Sequence, residues 1–111
     1  MFRMFSLDWF DKLCRPTVAI AANDVNWKLG DFFSKTITGN TTFSFTNTRD
    51  GKAITLVVEN LAATTVDVAF PSGLYKDSTF DLKVESGSIN TYTFMRSGSR
   101  VLGSYVSKMK V

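Results

Sequence analysis

The chain has 111 residues, 44% of them hydrophobic and 21% charged, which is enough for one hydrophobic core and too apolar for a disordered tail. No run approaches the ~20 consecutive apolar residues that a bilayer-spanning helix needs. A net charge of +3 arises from 13 basic and 10 acidic side chains scattered without a block of one sign, so no nucleic-acid face is implied.

The first stretch, MFRMFSLDWFDKLCR, differs from all that follows. Phe2, Phe5, Trp9 and Leu13 recur at spacings of three and four and line one side of a helix. Ser6 suits an N-cap, and Pro16 lacks the N–H to continue, so a short helix is predicted over Leu7 to Cys14. Arg3, Asp8, Asp11, Lys12 and Arg15 interrupt the apolar run that a signal peptide ahead of Ala19-Ile20-Ala21 would need, so none is expected. A helix so short is marginal alone, and its load of Met, Phe, Leu and Trp has to be buried. Three destinations are open: the chain's own sheet, a neighbouring copy or larger assembly, or a membrane interface, the last disfavoured by Asp8 and Asp11. The sequence thus divides into an anchor segment, residues 1–16, and a β-domain, residues 17–111.

Short strands follow. Val25, Trp27 and Leu29 alternate with polar residues up to Gly30; Phe33, Lys35 and Ile37 alternate up to Gly39-Asn40. Asp50-Gly51 suits a two-residue hairpin turn, and pairing Arg49 with Lys52 sets Phe43 opposite Val58, Phe45 opposite Leu56 and Asn47 opposite Ile54. The opposite face carries Thr42, Ser44, Thr46 and Thr48. Val66, Val68 and Phe70 form the next alternation, ended by Pro71 and Gly73, and Phe80, Leu82 and Val84 another. A second hairpin is predicted about Ser97-Gly98, with Arg96 opposite Ser99, Phe94 beside Val101 and Tyr92 over Gly103. About eight strands at this spacing predict an all-β fold, an antiparallel, jelly-roll-like β-sandwich with a short N-terminal helix.

The chain contains no histidine, so the common general base and the commonest metal ligand are missing. Cys14 is the single cysteine; it excludes an internal disulfide, fits a reducing compartment, and in an apolar helix reads as an inert thiol. Asp67, Asp77, Asp81 and Glu85 read as solvated charge rather than a glycosidase pair. No catalytic residue, cofactor or metal is expected. Trp27, Phe32, Tyr75 and Tyr105 are the aromatics that could stack on a sugar; Trp27 shares the phase of Val25 and is expected inside, whereas Tyr75 is expected exposed at a loop and is the candidate glycan contact.

The ordered series NWKLGDFFSKTITGNTTFSFTN, GKAITLVVEN, VDVAFPSG and INTYTFMRSGSRVLGSYV resembles a recurrent β-segment of tailed-bacteriophage structural proteins, found in tail fibres and head decorations. Asn26, Trp27, Gly39, Asn40, Phe45, Gly51, Thr55, Leu56, Phe70, Pro71, Tyr92, Phe94 and Gly103 occupy the matching places. The resemblance implies a non-enzymatic virion protein, commonly trimeric, assembled in the host cytoplasm and partnered by capsid or tail proteins. On that reading Phe2, Phe5, Trp9, Phe10 and Leu13 attach a decoration or head-fibre-like body to the particle. A carbohydrate-binding module for host glycans is the alternative.

Overall fold

The structure, a computed structural model, describes residues 17–76 and 80–110. The helix expected over Leu7 to Cys14, and with it Phe2, Phe5, Trp9, Phe10 and Leu13, lies outside these described residues.

Alternation of apolar and polar residues, with glycines and asparagines between the runs, produces eleven strands among the described residues. They are β1 (Val18–Ala19), β2 (Asp24–Asn26), β3 (Phe32–Ile37), β4 (Thr41–Thr42), β5 (Ser44–Thr46), β6 (Ala53–Asn60), β7 (Val66–Ala69), β8 (Tyr75–Lys76), β9 (Lys83–Val84), β10 (Ser88–Ser97) and β11 (Arg100–Lys110). The fold is all-β. Its strands form a six-stranded sheet in the order β1-β3-β6-β10-β11-β8, a pair β2-β5, and a three-stranded sheet β4-β7-β9.

Two successive courses of chain lie one on the other. The course β2, β3, β4 is followed by β5, β6, β7, and each strand of the second pairs in parallel with its counterpart in the first: Asp24 with Ser44, Phe32 with Thr55, Thr41 with Val68. Apolar residues therefore stack on apolar ones, Val25 on Phe45 and Phe33 on Leu56. The C-terminal part then closes the sheet differently, with β10 antiparallel to both β6 and β11. The mainly antiparallel arrangement expected from the hairpin signals is thus corrected, for β1, β2, β4 and β8 also pair in parallel. Alternation specifies which face of a strand is buried and leaves the direction of its neighbour undetermined.

The buried hydrophobic residues described form one cluster. Phe33, Ile37, Ile54, Leu56, Val58, Tyr92 and Phe94 cover the inner face of the large sheet, and Val25, Trp27, Phe43, Val66, Val68 and Val84 meet them from the other elements. Aromatic rings join β5 and the residue after β7 to β10: Phe45 and Phe70 each stand 4.9 Å from Phe94, and Phe70 stands 5.2 Å from Tyr92. Burial of each such side chain is worth ~1.5–3 kcal/mol before entropy is counted. The outer face of the large sheet carries Thr55, Val57 and Glu59 beside Thr93, Thr91 and Ile89.

Three local expectations need correction. Asp50-Gly51 does turn the chain, with Gly51 at φ 82 and the Lys52 N–H donating to the Arg49 carbonyl at 3.0 Å. The flanking strands do not pair: β5 goes to β2, and β6 goes to β3 and β10. Asn47 at φ 54 bends the chain out of β5 before the turn is reached, which breaks the register the hairpin required. The second hairpin forms one residue later than expected, with Ser97 opposite Arg100, so Phe94 rather than Tyr92 lies over Gly103. Finally, Trp27–Leu29 is a 3₁₀ turn, capped by Asn26 Oδ1 accepting from the Lys28 N–H; it leaves Trp27 buried and Leu29 63% exposed, where strand alternation would have buried both.

Candidate binding cleft at the hairpin end

The tip of the β10–β11 hairpin and the Asp50-Gly51 turn are bound to one another. Asp50 Oδ1 accepts from the Gly98 N–H at 2.8 Å, and the Gly51 N–H donates to the Arg96 carbonyl at 2.8 Å. Arg96 then reaches across, its Nη1 donating to the carbonyl and hydroxyl of Thr48 at 3.0 and 3.2 Å. Thr48 is thereby fixed between two hollows, and it lines both.

The first hollow, of about 350 Å³, is bounded by Phe45, Thr48, Pro71–Leu74, Ser99 and Val101. Pro71 and Gly73, at φ 84, turn the chain over it and deliver Tyr75 to β8, the edge strand beside β11. Tyr75 is half exposed, as its loop-end position predicts, and the Arg100 guanidinium lies 5.5 Å from its ring centroid. This cation–π contact braces one side of the ring.

The second hollow, of about 470 Å³, is lined by Trp27, Lys28, Asp31, Asn47, Thr48, Arg49 and Lys52. Lys52 Nζ donates to the Trp27 carbonyl and lies 3.4 Å from Asp31 Oδ1. Asn47 Nδ2 donates to Asn26 Oδ1 at 2.8 Å.

The remaining candidates fall elsewhere. Trp27 is fully buried, Phe32 is half exposed near the start of β3, and Tyr105 is partly buried against Tyr92. Asp77, like Cys14, lies outside the described residues. Asp67 pairs with Lys83 at 3.0 Å, an exposed ion pair. Asp81 is more than a solvated charge: its carboxylate accepts from Lys108 at 2.9 Å and from the Lys83 N–H at 2.9 Å, while Glu85 lies 3.2 Å from Lys110. Burial pushes the Asp81 carboxyl up, but the Lys108 hydrogen bond, the Lys83 N–H and both charges outweigh it and hold the group below its ordinary value.

Beside Asp81 lies a buried polar chain that alternation could not reveal. Asn90 Nδ2 donates to the Tyr92 hydroxyl at 3.0 Å, and that hydroxyl donates to the Asp81 carbonyl at 2.7 Å. Desolvation pushes the Tyr92 phenol up to about 12, so it remains a neutral donor. Asn90 and Asn60, both fully buried, occupy inward strand positions where a hydrophobic residue would be expected; their polarity in an otherwise apolar phase is the signal in the sequence.

Among the described residues no group of three or more acidic, cysteine or histidine side chains could hold a metal, and no helix is long and apolar enough to cross a membrane. No protein-family model, curated protein or solved structure matches this chain.

Proposed function

We propose that the protein is a non-enzymatic structural protein of a bacteriophage particle, a rigid β-sandwich of jelly-roll-like proportions held to the virion by its apolar N-terminal segment. The observation that carries this reading is the apolar load of the first sixteen residues, set before a β-domain that has a hydrophobic cluster of its own. Among the described residues the buried hydrophobic cluster runs from Val25 to Phe94, and these residues pack on one another. So large an apolar load on so short a segment is suited to association. The ordered motifs quoted above supply the virion context, with capsid or tail proteins as partners and a trimer as the assembled form. Five large side chains, Phe2, Phe5, Trp9, Phe10 and Leu13, are the attachment set; burial of each is worth ~1.5–3 kcal/mol, enough together to offset the cost of association.

The test is incorporation. Particles grown with Phe5→Ser/Trp9→Ser in place of the native chain are purified, and the protein is quantified by mass spectrometry. The reading requires the variant to fold and be missing from particles. Incorporation at the native level contradicts it.

Tyr75 favours a second reading, a module that binds host glycans. Its half-exposed ring, braced by Arg100 beside the hollow under Pro71–Leu74, has the form of a sugar-stacking platform. Specific retention on a glycan array, lost in Tyr75→Ala, would establish it.

A further inference from the structure

The outer face of the large sheet lacks the charge that a face turned to water ordinarily carries. Among the described residues, the only charged side chain at an outward position of β3, β6 and β10 is Glu59, although 21% of the chain is charged. The other outward positions of these strands hold hydroxyls and apolar groups. Three large apolar side chains stand on this face in different strands: Phe32 on β3, 48% exposed, Met95 on β10, 43%, and Met109 on β11 opposite Ile89, 64%. They lie on the side of the sheet away from Leu56 and Phe94, so the core cannot take them in. Scarce charge together with exposed Phe and Met is the composition of the centre of a protein interface.

We infer that this face is covered by another copy of the same chain, outward side chains of one sheet packing on those of its neighbour. The inference rests on the trimer proposed above for the number of copies alone; the surface is argued from the sheet. Like charge is what keeps copies of a basic protein apart. This chain carries a net charge of +3, and β3, β6 and β10 contribute no outward cation to it. A polyanion or an acidic membrane would find nothing to bind there, whereas a second uncharged face matches it. The size also fits. Four strands ~4.8 Å apart, with four outward positions along each, make a face of roughly 500 Å², so a pair of copies covers about 1,000 Å², the lower bound of a specific interface. Thr93, opposite Thr55 and two positions from Met95, stands near the middle.

The experiment uses the full chain with ¹³C-labelled methionine methyls. Of the four methionines, Met95 and Met109 stand on the face, and Met1 and Met4 belong to the N-terminal segment. Sedimentation velocity from micromolar to submillimolar concentration gives the mass, and a soluble paramagnetic agent, which broadens the methyls that solvent reaches, gives their exposure. The inference expects an oligomer in which the Met95 and Met109 methyls are shielded, with both features kept in Phe5→Ser/Trp9→Ser. Thr93→Lys sets a charge in the middle of the face and is expected to weaken association about tenfold or more, its amide spectrum checking the fold. A monomer throughout, broadening of both methyls in the native oligomer, or undiminished association of a folded Thr93→Lys overturns the surface. Loss of the oligomer or of the shielding in Phe5→Ser/Trp9→Ser overturns it too, because the N-terminal segment would then be what covers the face. Incorporation into particles is measured separately, so a monomer that is still incorporated contradicts this inference and leaves the attachment reading standing.

Discussion

Asp24 and Thr46 stand in adjacent parallel strands, and the carboxylate of the first accepts from the hydroxyl of the second at 2.7 Å while also accepting from Ser44 at 2.8 Å. This clamp joins the two stacked courses of chain at their first strands. Asp24→Ala removes both bonds at an exposed position and is expected to cost about 1 kcal/mol. Urea unfolding should show a lower midpoint with an unchanged slope.

Asn60 is a stronger tie. Fully buried, it donates to the Thr64 and Val84 carbonyls at 2.9 Å each and accepts from the Ala62 N–H at 2.8 Å. Asn60→Ala strands three backbone groups and is expected to destabilise by about 2–4 kcal/mol. Asn60→Asp should be comparably damaging, because it replaces two donated bonds by a buried charge facing carbonyls. Thermal unfolding of both variants measures this.

Gly103 is required by packing. A Cβ there would lie 3.0 Å from Phe80 Cε2 and 3.2 Å from the Phe94 ring. Gly103→Val should force both rings to move, at a cost of about 1–3 kcal/mol. Gly39, whose Cβ would meet nothing within 4 Å, is the control: Gly39→Ala should leave the unfolding midpoint almost unchanged.

Tyr92 sets an alkaline limit on stability. Its phenol is raised from 10.0 to about 12 by burial, so the folded state holds the proton more tightly than the unfolded chain does. The associated stability is complete below pH 10.0 and is lost as pH rises towards about 12. Tyr92→Phe should be less stable than the native chain at neutral pH by about 1 kcal/mol and should show a shallower decline across that window. Denaturant titrations at stepped pH provide the comparison.

The sequence reveals positions more readily than partners. Val25, Phe33, Ile37, Ile54, Leu56, Val58, Val66, Val68 and Phe94 are all buried in the phase their alternation predicts, and Tyr75 is exposed at its loop end. The partners of β5 and β6 are a different matter. An Asp-Gly turn is a local signal, and it is satisfied locally; whether the strands on either side pair depends on Asn47 and on the competing parallel partners β2 and β3, which are distant in sequence. The cleft was legible only in part. Tyr75, which stands beside it, could be read from its neighbours, but Lys28, Arg49 and Lys52 are brought to one hollow with Trp27 by the 3₁₀ turn and the displaced Asp50-Gly51 turn, features that no periodicity encodes.

The central claim is that residues 17–111 close their own core and that the apolar segment before them serves attachment. Urea unfolding of a chain shortened to residues 17–111, compared with the full chain, tests it most directly. The account predicts one cooperative transition with a midpoint close to that of the full chain. A broad, non-cooperative transition or a collapse of the midpoint would show that the first sixteen residues belong to the core, and would contradict it.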